Sequence, residues 1–90
     1  MKIRELLATP ENWTQGVYAR NSGQWPCSVR DIDACCWCLH GAAVYCYQKI
    51  AERLFILEKI GAEVKNISAY NDAPDRTHAE ILALVEKLDV

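Results

Sequence analysis

The sequence lacks the patterns that place a chain in a membrane, in the secretory pathway or on nucleic acid. No apolar run approaches the roughly 20 residues that a transmembrane helix requires. Residues 1–13 carry charges at Arg4 and Glu5, which is not the pattern of a signal peptide. The 10 basic and 12 acidic residues give a net charge of -2 and form no basic stripe. We therefore expect a cytoplasmic protein with reduced thiols that binds neither membrane nor nucleic acid.

The composition is that of an ordinary folded domain. Hydrophobic residues make up 51% of the 90 residues and charged residues 24%, which excludes an intrinsically disordered chain. A chain of this length buries roughly 60–65% of its unfolded surface, so it can fold alone with a small margin of stability. We expect residues 1–90 to form a single domain.

Apolar spacing and turn residues predict the first elements of the fold. The first apolar residues have helical spacing and Pro10 follows them, which predicts a short N-terminal helix. The sequence Asn-Ser-Gly at residues 21–23 is a turn signal. It predicts a small β-hairpin near residues 15–26, in which Asn21 or Gly23 takes a positive φ.

Residues 28–61 have the pattern of one long helix. Ser28 to Asp31 has the form of a capping box at its start, and Gly61 is a suitable C-cap at its end. A break near residues 47–49 into two helices is an alternative. The apolar residues between these ends follow one helical face: Ile32, Cys36, Leu39, Ala43, Cys46, Ile50, Leu54 and Leu57.

The last third of the chain carries the clearest helix start. Residues 63–70 are predicted to form a connector, with a short strand as one interpretation. Thr77 and Glu80 have capping-box spacing, and an apolar helical face follows them. Together these patterns predict a mainly α fold, a compact small domain of three to four helices with a short β-hairpin.

Four of the five cysteines lie within residues 33–46. Cys35 and Cys38 have the C-x-x-C spacing of many zinc sites, and Cys46 and Cys27 are the further ligands such a site would need. On a helix these side chains do not converge tetrahedrally, and free cysteine often behaves as a small buried hydrophobe. We therefore expect structural cysteines and no metal or other cofactor, with a zinc site as the alternative.

His40 and Gly41 also admit a chemical and a structural interpretation. His40 could act as a general base, but no nucleophile lies near it in the sequence, which favours a hydrogen-bonded structural histidine. Glycine in a helix interior costs about 1 kcal/mol relative to alanine. We therefore expect another element to approach Gly41 closely, either the terminal helix or Trp13.

The remaining candidates for chemistry lie before and at the start of the last helix: Asp72, Asp75, Arg76 and His78. In the functional interpretation, the helix N-terminus and Arg76 hold an anion. In the structural interpretation, Asp72 closes an Asx-type turn, Thr77 caps the helix and Arg76 pairs with an acidic neighbour. The structural interpretation accounts for every residue type in the group, so it is favoured.

Three motifs occur in a characteristic order. They are W-T-Q-G at residues 13–16 (followed by Ala19-Arg20 and the Asn-Ser-Gly turn), W-C-L-H-G-A at 37–42, and N-D-A-P-D-R-T at 71–77. In this order and spacing they resemble a family of small bacterial and phage domains of unknown function, over residues 10–90. Tyr70 stands where such proteins often carry tryptophan. The resemblance implies a mostly helical fold with a small hairpin and supplies no activity.

No convincing catalytic set is present, so we expect a non-enzymatic domain whose partner is another protein. Aromatic residues in excess of what the core needs, among them Trp25 and Tyr45, favour that interpretation. The resemblance implies an accessory protein of a phage or mobile element, with inhibition of a host defence system as one role. The alternative is a domain that binds a small molecule or an anion at the Asn71–Thr77 loop.

Overall fold

The computed structural model describes residues 1–90, and the chain is mainly α with a short two-stranded antiparallel sheet. A 3-10 turn, Pro10–Asn12, follows the first helix. The prediction of the fold class is confirmed, although there are five helices instead of three to four. In chain order the elements are α1 (Ile3–Leu6), β1 (Ala19–Asn21), β2 (Ala34–Trp37), α2 (Leu39–Cys46), α3 (Ile50–Val64), α4 (Ile67–Asp72) and α5 (His78–Leu88).

The sheet pairs β1 with a more distant segment than the sequence indicated. Ala19 faces Trp37, whereas Asn21 faces Ala34, so the strands contain a β-bulge at Cys35. A tight turn does follow β1, but the positive φ of 67° is at Gln24 and not at Asn21 or Gly23. The reason is that the Asn21 side chain accepts hydrogen bonds from the backbone N–H groups of residues 23 and 25, which fixes the turn.

The prediction of a helix from residue 28 onward is wrong for its first third. Residues 34–37 form β2, and the first helix of this region begins at Leu39 with Cys38 as its N-cap. Cys38 Sγ accepts a hydrogen bond from the N–H of Gly41 at 3.3 Å. The short apolar stretch at residues 34–37 is compatible with a buried strand as well as with a helix. Its hydrogen-bonded pairing with β1 selects the strand.

The expected long helix is divided at residues 47–49, as the alternative had it, and this division changes which residues of the second helix are buried. Because α3 is a separate helix, the direction of its buried face does not follow from that of α2. Its buried residues are Ile56 and Ile60. Ile32, Ile50 and Leu54, which were predicted to lie on a buried seam, are exposed. The hydrophobic core consists of Ile3, Leu6, Leu7, Ala19, Val29, Trp37, Leu39, Ala42, Ala43, Ile56, Ile60, Ile81, Leu84, Val85 and Val90.

The C-terminal part differs from the prediction in two places. Helix α3 runs through Gly61 to Val64 and ends at Lys65, whose φ is 71°, so Gly61 is not the C-cap. Residues 67–72 form the helix α4 and not a strand. The Thr77–Glu80 capping box is present and begins α5 as predicted. No helix is both long enough and apolar enough to span a lipid bilayer.

Gly41 allows the backbone of the segment before β1 to lie directly against α2. A Cβ atom at position 41 would overlap the carbonyl oxygen of Tyr18 and lie 2.9 Å from its carbonyl carbon. The close approach predicted for Gly41 therefore exists, but the neighbour is Tyr18 and not the terminal helix or Trp13. The same carbonyl oxygen accepts a hydrogen bond from the N–H of Cys38 at 3.2 Å.

Two glycines in helices provide a matched pair of substitutions. Gly41→Ala should lower the free energy of unfolding by about 2 kcal/mol or more, because the added methyl group forces α2 away from Tyr18. Gly61→Ala should raise it by up to about 1 kcal/mol, because no atom lies within 4 Å of the new Cβ atom. Urea unfolding followed by circular dichroism measures both, and equal effects of the same sign would contradict the close approach.

Candidate functional site

Asn71 lies at the junction of the three sequence motifs, and its side chain is almost completely buried, with 1% exposed. Its Oδ1 atom accepts hydrogen bonds from Trp13 Nε1 at 2.8 Å and from the N–H of Leu39 at 3.0 Å. Its Nδ2 atom donates to Thr14 O at 3.1 Å and to Asp72 Oδ1 at 2.8 Å. Every donor and acceptor position of this amide is therefore occupied.

The segment that precedes β1 is bound to the end of α4 by further hydrogen bonds. Gln15 Nε2 donates to Asn71 O at 2.9 Å and to Ala73 O at 3.0 Å. The N–H of Gly16 donates to Asp72 Oδ1 at 2.9 Å. Asp72 therefore does not close the Asx-type turn that the sequence favoured, because its carboxylate bonds to a distant backbone. Sequence patterns missed Asn71 as the centre of this network, since no local signal reports a contact across 58 residues.

Arg76 and the start of α5 use most of their polar groups within the chain. Arg76 Nε donates to Tyr70 O at 2.8 Å, and its guanidinium lies 3.6 Å from the centre of the Tyr70 ring. Its Nη1 atom donates to Glu80 Oε2 at 3.0 Å, which is the predicted pairing with an acidic neighbour. Hydrogen bonding to the backbone N–H of Thr77 lowers the pKa of Glu80, so this carboxylate stays ionised.

The other predicted residues of this group are not collected into one site. His78 Nε2 donates to Leu7 O at 2.7 Å, and its ring centre lies 6.4 Å from that of Trp13. Asp75 is exposed in the loop before α5. The side chains of Asp72 and His78 thus connect the C-terminal third to the N-terminal segments.

A cleft of about 550 Å³ lies on another part of the surface, and it includes one of the predicted binding residues, Tyr45. The Tyr45 and Trp37 ring centres are 5.0 Å apart, and the Arg30 guanidinium lies 5.8 Å from the centre of the Tyr45 ring. Arg30 Nη2 also donates to Val44 O at 2.6 Å, near the C-terminal end of α2. Trp25 is 72% exposed in the turn after β1 and does not line the cleft, which is lined by Met1, Arg30, Asp31, Ile32, Ala34, Trp37, Tyr45, Cys46 and Gln48.

All five cysteines are free thiols, and none forms a disulfide. Burial raises the pKa of Cys38, and it raises the pKa of Cys46 to about 11, so both thiols are protonated near neutral pH. No group of three or more His, Cys, Asp and Glu side chains lies close enough to hold a metal ion. The alternative of a zinc site built from Cys27, Cys35, Cys38 and Cys46 receives no support from this geometry.

His40 packs against Tyr18 and has a buried nitrogen without a partner. The two ring centres are 5.0 Å apart and the rings are stacked at 18°. The Nδ1 atom is buried and makes no hydrogen bond. Burial, and to a smaller extent the positive charge of Arg53, lower the pKa of His40. The histidine is therefore neutral in the folded protein at pH 7, although it is not fully hydrogen-bonded as the sequence suggested.

Comparison with known proteins places the chain in a family. Residues 1–88 match a family of unknown function, DUF6197. The chain belongs to this family, which confirms the expected membership of a family of unknown function. Comparison with curated proteins and with solved structures finds no match.

Replacing Asn71 tests whether the motif junction supports the whole fold. Asn71→Ala should lower the free energy of unfolding by about 3 kcal/mol, because it leaves buried N–H and C=O groups without partners. Asn66→Ala is the matched control, since Asn66 is an exposed N-cap of α4 and its loss should cost about 1 kcal/mol. Urea unfolding measures both variants, and a cost for Asn71→Ala no larger than that of the control would contradict the role assigned to it.

His40 should make the protein less stable in mild acid. Since its pKa is lowered from about 6.5, the unfolded chain binds the proton more readily than the folded chain does. The contribution of neutral His40 to the free energy of unfolding is therefore fully present above pH 6.5, and it is lost as the pH falls below that value. Urea midpoints at pH 7.5, 6.5 and 5.5 should decrease in the native protein and change less in His40→Gln. An unchanged pH dependence in the variant would show that another group is responsible.

Proposed function

We propose that this protein is a small non-enzymatic domain that works by binding another protein. The observation that supports the proposal most directly is the cleft at Tyr45, because exposed apolar side chains stand at its edge. Ile32 is fully exposed and Met1 is 70% exposed, and both line the cleft together with the buried Trp37. Large apolar side chains grouped around a depression are typical of a surface that another molecule covers.

A partner protein fits this cleft better than a small molecule does. A small ligand would fill the depression and leave the side chains of Met1 and Ile32 in water. A protein that inserts one large apolar side chain would fill the depression and also cover these residues around it. Anchors of this kind, surrounded by contacts that exclude water, carry most of the binding energy in protein interfaces.

The charges near the cleft indicate the chemistry of that partner. Asp31 lines the cleft and Asp33 lies two residues further along, and neither takes part in an ion pair within the chain. The guanidinium of Arg30 is directed to the carbonyl oxygen of Val44 and lies near the Tyr45 ring. We therefore expect a partner segment that carries a basic residue beside its apolar anchor.

Binding of an anion at the Asn71–Thr77 loop is the less supported function. Arg76 already bonds to Tyr70 O and Glu80, and the side chain of Thr77 accepts a hydrogen bond from the N–H of Glu80. An anion would have to displace these partners before it could bind at the start of α5. The narrower role, inhibition of a host defence system by a phage or mobile-element protein, stays a prediction.

Ile32→Glu is the substitution that tests the cleft. The side chain is fully exposed, so the change should not alter the free energy of unfolding by more than about 0.5 kcal/mol. It should lower the affinity for the partner by at least tenfold, because it places a charge in the apolar rim. Affinity capture from a lysate of the producing cells, identification by mass spectrometry and titration with the purified partner measure the effect.

Ala79→Glu is the matched control, because it places the same charge at an exposed apolar position on α5 that does not line the cleft. A partner that binds the native protein and the control but not Ile32→Glu supports the proposal. A partner that binds all three equally, or the absence of any protein that rebinds in purified form, would reject it.

A further inference from the structure

A second group of exposed apolar side chains lies on the outward face of α3, away from the cleft. Leu54 and Phe55 are 59% and 67% exposed on this face, whereas Ile50, the first residue of α3, lies about 140° from Phe55 and outside the face. Ala51 and Ala62 are also exposed, and at 100° per residue they lie on the same side of the helix as Phe55. This face has small residues before and after one large aromatic ring, so a second helix can approach it closely around Phe55.

The charges beside this face complement each other when the helix is paired with a copy of itself. Glu52 and Lys59 are seven residues apart, so they lie on the same flank of the apolar face, with Phe55 between them. Both are exposed, and neither takes part in an ion pair within the chain. They therefore remain available to a partner.

We infer that α3 is the contact surface between two copies of this chain, arranged as an antiparallel pair. In a two-fold symmetric, antiparallel pair, residues at equal distances on either side of the axis face each other on the same flank. An axis close to Phe55 places Glu52 of each copy opposite Lys59 of the other. The two Phe55 rings then meet at the axis, and Leu54 of each copy packs beside them.

One residue limits the strength of this dimer. Glu58 is exposed on the same face as Leu54, and its counterpart in the second copy lies on the same flank. The two carboxylates approach each other as the helices pack, and their repulsion opposes association. The dimer is therefore reversible and depends on protein concentration, and Glu58→Gln strengthens it.

Sedimentation equilibrium of the purified protein between micromolar and millimolar concentrations measures this association. The native protein should form dimers within this range, and Phe55→Glu should be monomeric throughout. Glu52→Lys and Lys59→Glu should each weaken association by about tenfold, because each places like charges opposite each other. The double variant, Glu52→Lys with Lys59→Glu, should regain the native affinity, since the exchange restores both ion pairs.

The recovery by the double variant distinguishes reciprocal pairing from a general effect of charge. All of these positions are exposed, and circular dichroism verifies that each variant is folded. A native protein that remains monomeric at millimolar concentration overturns the inference, as does a double variant that is no stronger than the single ones. Ile32→Glu should dimerise normally, so failure of this inference and failure of partner binding at the cleft are separate results.

Discussion

The buried amide of Asn71 is the interaction on which the rest of the structure depends. It joins a segment before the sheet, the first residue of α2 and the end of α4 through four hydrogen bonds of one side chain. An amide is suited to this position because it offers two donors and two acceptor sites in one plane. A carboxylate would lack the donors, and an aliphatic side chain would leave buried backbone groups unpaired.

This arrangement changes how the three sequence motifs should be understood. Trp13, Leu39 and Asn71 each belong to a different motif, and they meet at one point in the interior. Residues that look like a reactive set in sequence are occupied in holding segments together. The large exposed apolar side chains lie elsewhere, on residues outside these motifs such as Ile32 and Phe55.

Structural features that depend on neighbouring residues could be predicted from the sequence, whereas the pairing of distant segments could not. The capping box at Thr77 depends on neighbouring residues, so its spacing alone identified it, whereas the break after α2 was only an alternative to one long helix. Strand β2 was predicted as helix because its apolar residues suit either structure, and the choice depends on β1. The buried face of α3 was also predicted wrongly. A break of three residues means that the apolar spacing of the preceding helix no longer determines which side of α3 is buried. The predicted binding residues were partly separated by the fold, with Tyr45 in the cleft and Arg76 bonded internally.

The backbone contact at Gly41 has a consequence for the cleft. A helix that rests on side chains can rotate slightly about its axis as those side chains change rotamer. Helix α2 rests on the Tyr18 carbonyl itself, which has no rotamers, so its rotation is restrained at this point. Tyr45 lies one turn further along the same helix. The position of the Tyr45 backbone is therefore restrained by a glycine that does not line the cleft, so this wall of the cleft is held in place by the fold itself.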